Sequence, residues 1–147
     1  MSTSRNIGVE IALDHGVAAP VVADAQDLTL RGLARRIDEV AARAKARQLE
    51  VGDLLGASFT IAAAPVGAVL LSVPSVVASQ AASLGIGGIA KRPVVVETES
   101  GADALIIRST GVLSLSYNPD IVDSHQATGF LVRVAELLGT QDWSAEL

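Results

Sequence analysis

Few side chains in this sequence can do chemistry. There are two histidines, His15 and His125, and no cysteine, so proton transfer would rest on those imidazoles and on carboxylates. The densest polar stretch is Ser114-Leu115-Ser116-Tyr117-Asn118-Pro119-Asp120-Ile121-Val122-Asp123-Ser124, with His125 next. Its alternation reads as a half-buried strand running into a tight loop before a helix, and such loops often carry catalytic groups. Asp120 and Asp123 stand three residues apart, the spacing of a possible acid–base pair, although two loop carboxylates so placed are common. Asp123 is also the natural cap of the helix that follows, since its charge complements the helix N-terminus. His125 could serve as a base from the first helical turn or lie exposed between Ser124 and Gln126. Tyr117 could offer its hydroxyl to a pocket or pack in the core. His15, in Asp14-His15-Gly16, reads as a surface-turn residue.

Other classes of chemistry find less support. Without cysteine there are no disulfides and no thiolate-held metal or iron–sulfur centre, and two histidines make a histidine-rich zinc site improbable, so no metal is expected. The segment Gly85-Ile86-Gly87-Gly88 superficially resembles a phosphate-binding loop. It lacks the G-x-G-x-x-G spacing and a helix after it, so close backbone packing explains it better. A basic cluster of Arg31, Arg35, Arg36, Arg43 and Arg47, mixed with Asp38 and Glu39, reads as a solvated helix face rather than a phosphate site. A net charge of −5 disfavours a broad nucleic-acid surface.

These residues must be positioned by a single domain: 147 residues, half of them hydrophobic, suffice for one core. With four aromatic residues (one Trp, one Tyr, two Phe), that core must be built from Val, Leu, Ile and Ala. Asn6 to Leu13 fits a strand and Ala19 to Ala23 a second. Thr29 can cap a helix whose apolar face carries Leu30, Leu33, Ile37, Val40, Ala41 and Ala44. Leu49 to Gly56 reads as a loop, and Ala57 to Ala63, Ala81 to Ala90, Pro93 to Glu97, Ala104 to Ser109 and Gly111 to Tyr117 as strand segments. Within them Ser58 and Thr60 share a face by the two-residue period. The final helix starts near Asp123 or Ser124, places Ala127, Phe130, Leu131, Val134, Leu137 and Leu138 on its apolar face, and ends at Gly139. No charged residue lies between Asp53 and Lys91, but prolines, glycines and serines break that run, so buried strands are expected rather than a membrane span. No secretory signal is visible at the N-terminus, and a cytoplasmic protein is the expectation. Hairpin-like strands bracketed by two amphipathic helices give an α/β sandwich, its mixed or antiparallel sheet covered on one face by helices.

The order of segments resembles the catalytic domain of the dihydrolipoamide acyltransferases of 2-oxoacid dehydrogenase complexes. The resemblance runs through Asn6-Ile7-Gly8-Val9, Pro20-Val21-Val22-Ala23-Asp24-Ala25, the Leu30 to Arg47 helix and Gly56-Ala57-Ser58-Phe59-Thr60-Ile61, which is similar to the family's G-G-T-F-T-I. It continues through Gln80 to Gly87, Lys91-Arg92-Pro93-Val94-Val95-Val96 and Leu113 to Tyr117. It implies a chloramphenicol-acetyltransferase-like two-layer sandwich, assembled as a trimer with active sites between subunits.

The same resemblance implies that the catalytic groups are gone. The family's D-H-R-x-x-D-G histidine takes the proton from the thiol of coenzyme A or dihydrolipoamide. That thiol, with a pKa near 8.5, is largely protonated at neutral pH. Here the signature positions read Asn118-Pro119-Asp120-Ile121-Val122-Asp123-Ser124, with Pro119 in place of the histidine. The family's serine after T-F-T-I, which supports the tetrahedral oxyanion, corresponds to Ala62, with Ala63 where asparagine is common. Val77-Ala78-Ser79 replaces the family's N-P-P. The expectation is therefore an acyltransferase homologue without acyl transfer, serving as a structural or partner subunit of an oligomer. It would require no cofactor and would bind coenzyme A or a lipoyl group only if the ancestral site is retained. The alternatives are an enzyme that reuses the inter-subunit cavity for a cyclisation or elimination, and an acyltransferase completed by a partner chain. The family's domain also begins ahead of the N-I-G strand, so residues 1–147 are expected to be a shortened single domain, with a second chain possibly supplying the earlier segment.

Overall fold

The computed structural model describes residues 5–64, 67 and 69–144. Its centre is a five-stranded sheet in the order β4-β1-β5-β6-β9, formed by β1 (Ile7–Val9), β4 (Val21–Val22), β5 (Phe59–Ala63), β6 (Ala82–Ile86) and β9 (Leu113–Tyr117). β1, β5 and β6 run parallel, while β4 and β9 are antiparallel to their neighbours, so the sheet is mixed as expected. The expected hairpin succession fails at β5 and β6. They lie parallel, so the chain between them crosses back over the sheet as an extended loop.

The strand expected over Asn6 to Leu13 breaks at Glu10. Val9 N–H donates to Pro20 O and Glu10 N–H to Ile61 O, both at 2.9 Å. The chain then leaves the sheet, and β2 (Ile11–Leu13) pairs with β3 (Gly16–Ala18) in a small hairpin. A second hairpin, β7 (Ala90–Glu97) with β8 (Asp103–Thr110), also stands apart from the central sheet.

α1 (Leu30–Lys45) begins where Thr29 predicts: its side-chain hydroxyl accepts from Gly32 N–H at 3.1 Å. It packs against β2 and β4, and Val40 and Ala44 are buried, as is Val22 on β4. Arg47 does not continue the expected helical face. The helix stops at Lys45, Ala46 caps it, and Arg47 adopts a left-handed backbone with φ 57°. The loop expected over Leu49 to Gly56 contains a short 3-10 turn, Val51–Leu54. Its Asp53 carboxylate accepts from Glu50 N–H at 2.8 Å and meets Arg43 twice, at 2.5 and 3.0 Å. That Glu50 hydrogen bond, followed by the Arg43 guanidinium, holds the Asp53 carboxyl below its ordinary value.

α2 (Ser124–Thr140) packs on β9. Phe130 meets Phe59 of β5 edge-to-face, with ring centroids 5.7 Å apart, a geometry favoured by the ring quadrupoles. Gly139 lies inside this helix rather than ending it, and Leu138, expected on the buried face, is exposed. None of the described helices is long and apolar enough to cross a membrane.

Candidate functional site

The strand-end loop is held by its own polar residues. Asn118 N–H donates to Ala81 O at 2.9 Å, tying the end of β9 to the start of β6. The Asn118 carbonyl accepts from Ile121 and Val122 N–H, and its side-chain oxygen accepts from Asp120 N–H at 3.0 Å. Asp123 closes a reciprocal capping box on α2: Gln126 N–H donates to its carboxylate at 2.8 Å, while its own N–H donates to Gln126 Oε1. The polar groups of Asn118 and Asp123 are thereby engaged in shaping backbone. Pro119, Asp120 and His125 are exposed, and Tyr117 is half-buried opposite Ala82. Asp123 is committed to the cap, and among the described residues Asp120 is exposed and its backbone N–H donates to Asn118 Oδ1.

Ala62 and Ala63 lie at the other end of the sheet. Ala62 is buried and sits in one row with Gly85 and Ser114; Ala63 is exposed, beside Ile86. The row that meets Tyr117 is Phe59 and Ala82, three residues earlier on β5. At about 3.3 Å per residue, the loop that follows Tyr117 and the Ala62 row are roughly 10 Å or more apart along the strands. One chain does not bring the two halves of the candidate site together.

Between them, one sheet face carries small polar residues, which the apolar pattern of the sequence did not single out. Thr60 Oγ1 donates to Gln80 Oε1 at 2.7 Å, both side chains being buried. Ser83, beside Thr60 in register, is also fully buried. Its hydroxyl has no hydrogen-bond partner among the described residues. Gly85 and Gly87 are packing glycines, as expected. A Cβ on Gly85 would overlap the Ser72 carbonyl, and one on Gly87 the Leu70 carbonyl. The loop carrying those carbonyls is fastened by Gly88 N–H to Val69 O at 2.7 Å and by the Ser114 hydroxyl to Ser72 O.

One concave region lies beside this sheet and another on the β2–β3 hairpin. An apolar groove of about 750 Å³, lined by Ile86, Ile89, Val112, Leu113, Leu131 and Leu138 among others, opens at the Ala63 end. A second cavity of about 550 Å³ lies at the β2–β3 turn and includes His15, which is an exposed turn residue as expected. No group of three or more His, Cys, Asp or Glu that could hold a metal occurs among the described residues.

Residues 1–143 match the family model of the 2-oxoacid dehydrogenases acyltransferase (catalytic domain). The chain is 37% identical over 144 residues to the dihydrolipoyllysine-residue acetyltransferase component of the pyruvate dehydrogenase complex of Mycobacterium tuberculosis, covering 98% of this chain and 26% of that protein. It is 37% identical over 133 residues to the succinyltransferase component of the Bacillus subtilis 2-oxoglutarate dehydrogenase complex, covering 90% of this chain and 31% of that protein. The chain thus spans about a quarter to a third of the length of these curated relatives. Among solved structures, a probable dihydrolipoamide acetyltransferase from Listeria monocytogenes superposes with TM-score 0.84 at 28% identity, over 97% of this chain and 59% of that one. A second, the Azotobacter vinelandii dihydrolipoamide acetyltransferase, studied for the roles of a serine, a histidine and an asparagine in its mechanism, gives TM-score 0.79 at 26% identity over 95% of this chain and 55% of that one. The chain belongs to the 2-oxoacid dehydrogenase acyltransferase family and shares the fold of its catalytic cores.

Proposed function

We propose that this chain is a non-catalytic member of its family, a structural or partner subunit of a homo-oligomer. The observation that carries the reading is the loop Asn118 to Ser124. In the family's signature this loop supplies the histidine base, and here Pro119 occupies that position. A pyrrolidine ring has no proton acceptor, and the flanking Asn118 and Asp123 are engaged with backbone. Ala62, in the position of the oxyanion serine, has no hydroxyl to donate, a loss that costs roughly 2.7–4 kcal/mol in enzymes where such a donor has been removed.

The oligomer, a trimer by family resemblance, is supported by surface chemistry. On the β7–β8 hairpin Val95 pairs with Leu105 and Pro93 with Ile107, which puts all four on one face. Val95 is 66% exposed, Leu105 72% and Ile107 73%. An isolated two-stranded ribbon is marginal in water, so a partner surface over that face would stabilise it. The separation of the Asn118 loop from Ala62 within one chain also suits a site shared between copies. The structural role calls for no cofactor, and coenzyme A or a lipoyl group would bind only where the inter-subunit site persists.

One observation favours a second reading. The apolar groove at the Ala63 end has the size of a small-molecule site, which suits reuse of the scaffold for chemistry that needs shape more than a strong base. Acetyl transfer from acetyl-CoA to dihydrolipoamide, followed by chromatographic measurement of the coenzyme A and S-acetyldihydrolipoamide formed, tests the loss of acyl transfer that both readings share. The structural role predicts no turnover above background. Turnover abolished by His125→Ala would instead identify an acyltransferase with a displaced base.

A further inference from the structure

The cavity of about 550 Å³ lies between the β2–β3 turn and the end of α1. Its lining combines His15, Lys45 and Arg47 with the apolar Leu13 and Val17 and with Asp14. The other basic residues of α1 are largely committed: Arg35 and Arg36 pair with Glu39, and Arg43 with Asp53. Lys45 and Arg47 enter no ion pair among the described residues, although both project into the same concavity.

Arg47 is the more telling of the two. It follows the capped end of α1 with φ 57°, the left-handed conformation that favours glycine. Its N–H donates to Ala44 O at 3.1 Å and Gln48 N–H donates to Arg43 O at 2.9 Å, while the Arg43 guanidinium donates to Gln48 O at 3.3 Å, so the turn is held without the Arg47 side chain. Attraction to the negative end of the helix would account for a basic residue such as Lys45 within the last turn. It gives no reason to place a long β-carbon-bearing side chain where glycine fits without strain. Backbone strain of this kind concentrates where a side chain has a task.

We propose that this cavity binds a small molecule that carries a phosphate group on an apolar body. The Arg47 fork and the Lys45 ammonium supply charge-assisted donors for the phosphate oxygens, and a ring nitrogen of His15 adds another. Leu13 and Val17 cover the apolar part, and the volume lies within the range of small-molecule sites. Asp14 offsets part of the positive charge, so the cavity selects a ligand that fills both halves over a bare anion. The proposal is independent of whether acyl transfer survives, because the cavity shares no residue with the Asn118 loop or with Ala62.

Isothermal titration calorimetry of the 147-residue protein with phenyl phosphate tests it, with inorganic phosphate as the comparison. The expected result is saturable one-to-one binding of phenyl phosphate, tighter than that of inorganic phosphate. Arg47→Gly relieves the left-handed strain and should raise the unliganded melting temperature by roughly 2–4 °C. The same variant should weaken phenyl phosphate binding roughly tenfold, the loss of one charge-assisted contact. Arg35→Gln, which removes one positive charge elsewhere on α1, should leave the affinity unchanged. No saturable binding, equal affinity for the two probes, or equal weakening by Arg47→Gly and Arg35→Gln overturns the proposal.

Discussion

Gly85→Ala probes the contact that organises the sheet face between the two halves of the candidate site. The added methyl would overlap the Ser72 carbonyl, the Ser114 hydroxyl and the Pro74 ring together. A flexible side chain could yield, but the Ser72 carbonyl belongs to a loop fastened by the Ser114 hydroxyl and by Gly88 N–H to Val69 O at 2.7 Å. Making room means lifting that loop. Overpacking a close-fitted site costs about 1–3 kcal/mol, and losing one of the fastening bonds adds about 1 kcal/mol. Replacing glycine in a strand returns roughly 0.5–1 kcal/mol of backbone entropy, which leaves a net loss of about 1–3.5 kcal/mol. In a domain of this size that corresponds to a melting temperature lower by roughly 2–14 °C. Gly129→Ala is the matched control, since its Cβ would meet nothing within 4 Å inside α2, and it should stabilise by about 0.5–1 kcal/mol. Urea unfolding of both variants measures the two effects with opposite signs. A Gly85→Ala protein as stable as the parent would refute the packing of the loop on β6.

Three further outcomes follow from the same coordinates. Thr60→Val leaves the buried Gln80 side chain without its donor and should cost about 1–3 kcal/mol in urea unfolding; a neutral result would mean that this pair carries no weight. Leu105→Lys with Ile107→Lys places charge on the exposed hairpin face and should reduce the oligomer seen by light scattering to smaller species, whereas an unchanged mass would exclude that face as an interface. The Asp53 carboxyl is held below its ordinary value of 3.8, so its contribution is fully present above the unfolded value and is lost as pH falls through the folded one. The stability gap between the parent and Asp53→Asn should therefore stay constant above roughly pH 5 and close as the medium is acidified below 3.8.

The helices were legible in the sequence because their signals are local. Thr29 and Asp123 cap them, and the apolar spacing of Leu33, Ile37, Val40 and Ala44 matches the side that packs. The C-terminal ends of β5 and β9, at Ala63 and Tyr117, were legible for the same reason, whereas β6 ends at Ile86, four residues short of the expected Ala90. What the sequence hid depends on contacts between distant segments. The parallel pairing of β5 with β6 is set by long-range register, and alternation alone gives no strand direction. The break at Glu10 comes from hydrogen bonds to Pro20 and Ile61, and the left-handed turn at Arg47 contradicts the glycine preference on which such turns are usually read. The candidate site divides in the same way. Substitutions such as Pro119 and Ala62 can be read only against the motif they replace, while their separation across the sheet required the fold.

Absence of acyl transfer is the central property of the proposed structural role, and the acetyl-CoA to dihydrolipoamide assay on the purified protein measures it directly. Coenzyme A and S-acetyldihydrolipoamide, separated chromatographically, should form no faster than in the enzyme-free background at every protein concentration. Formation that rises in proportion to protein and saturates with dihydrolipoamide would contradict the loss of acyl transfer, and would show that the Asn118 to Ser124 loop still belongs to a working active site.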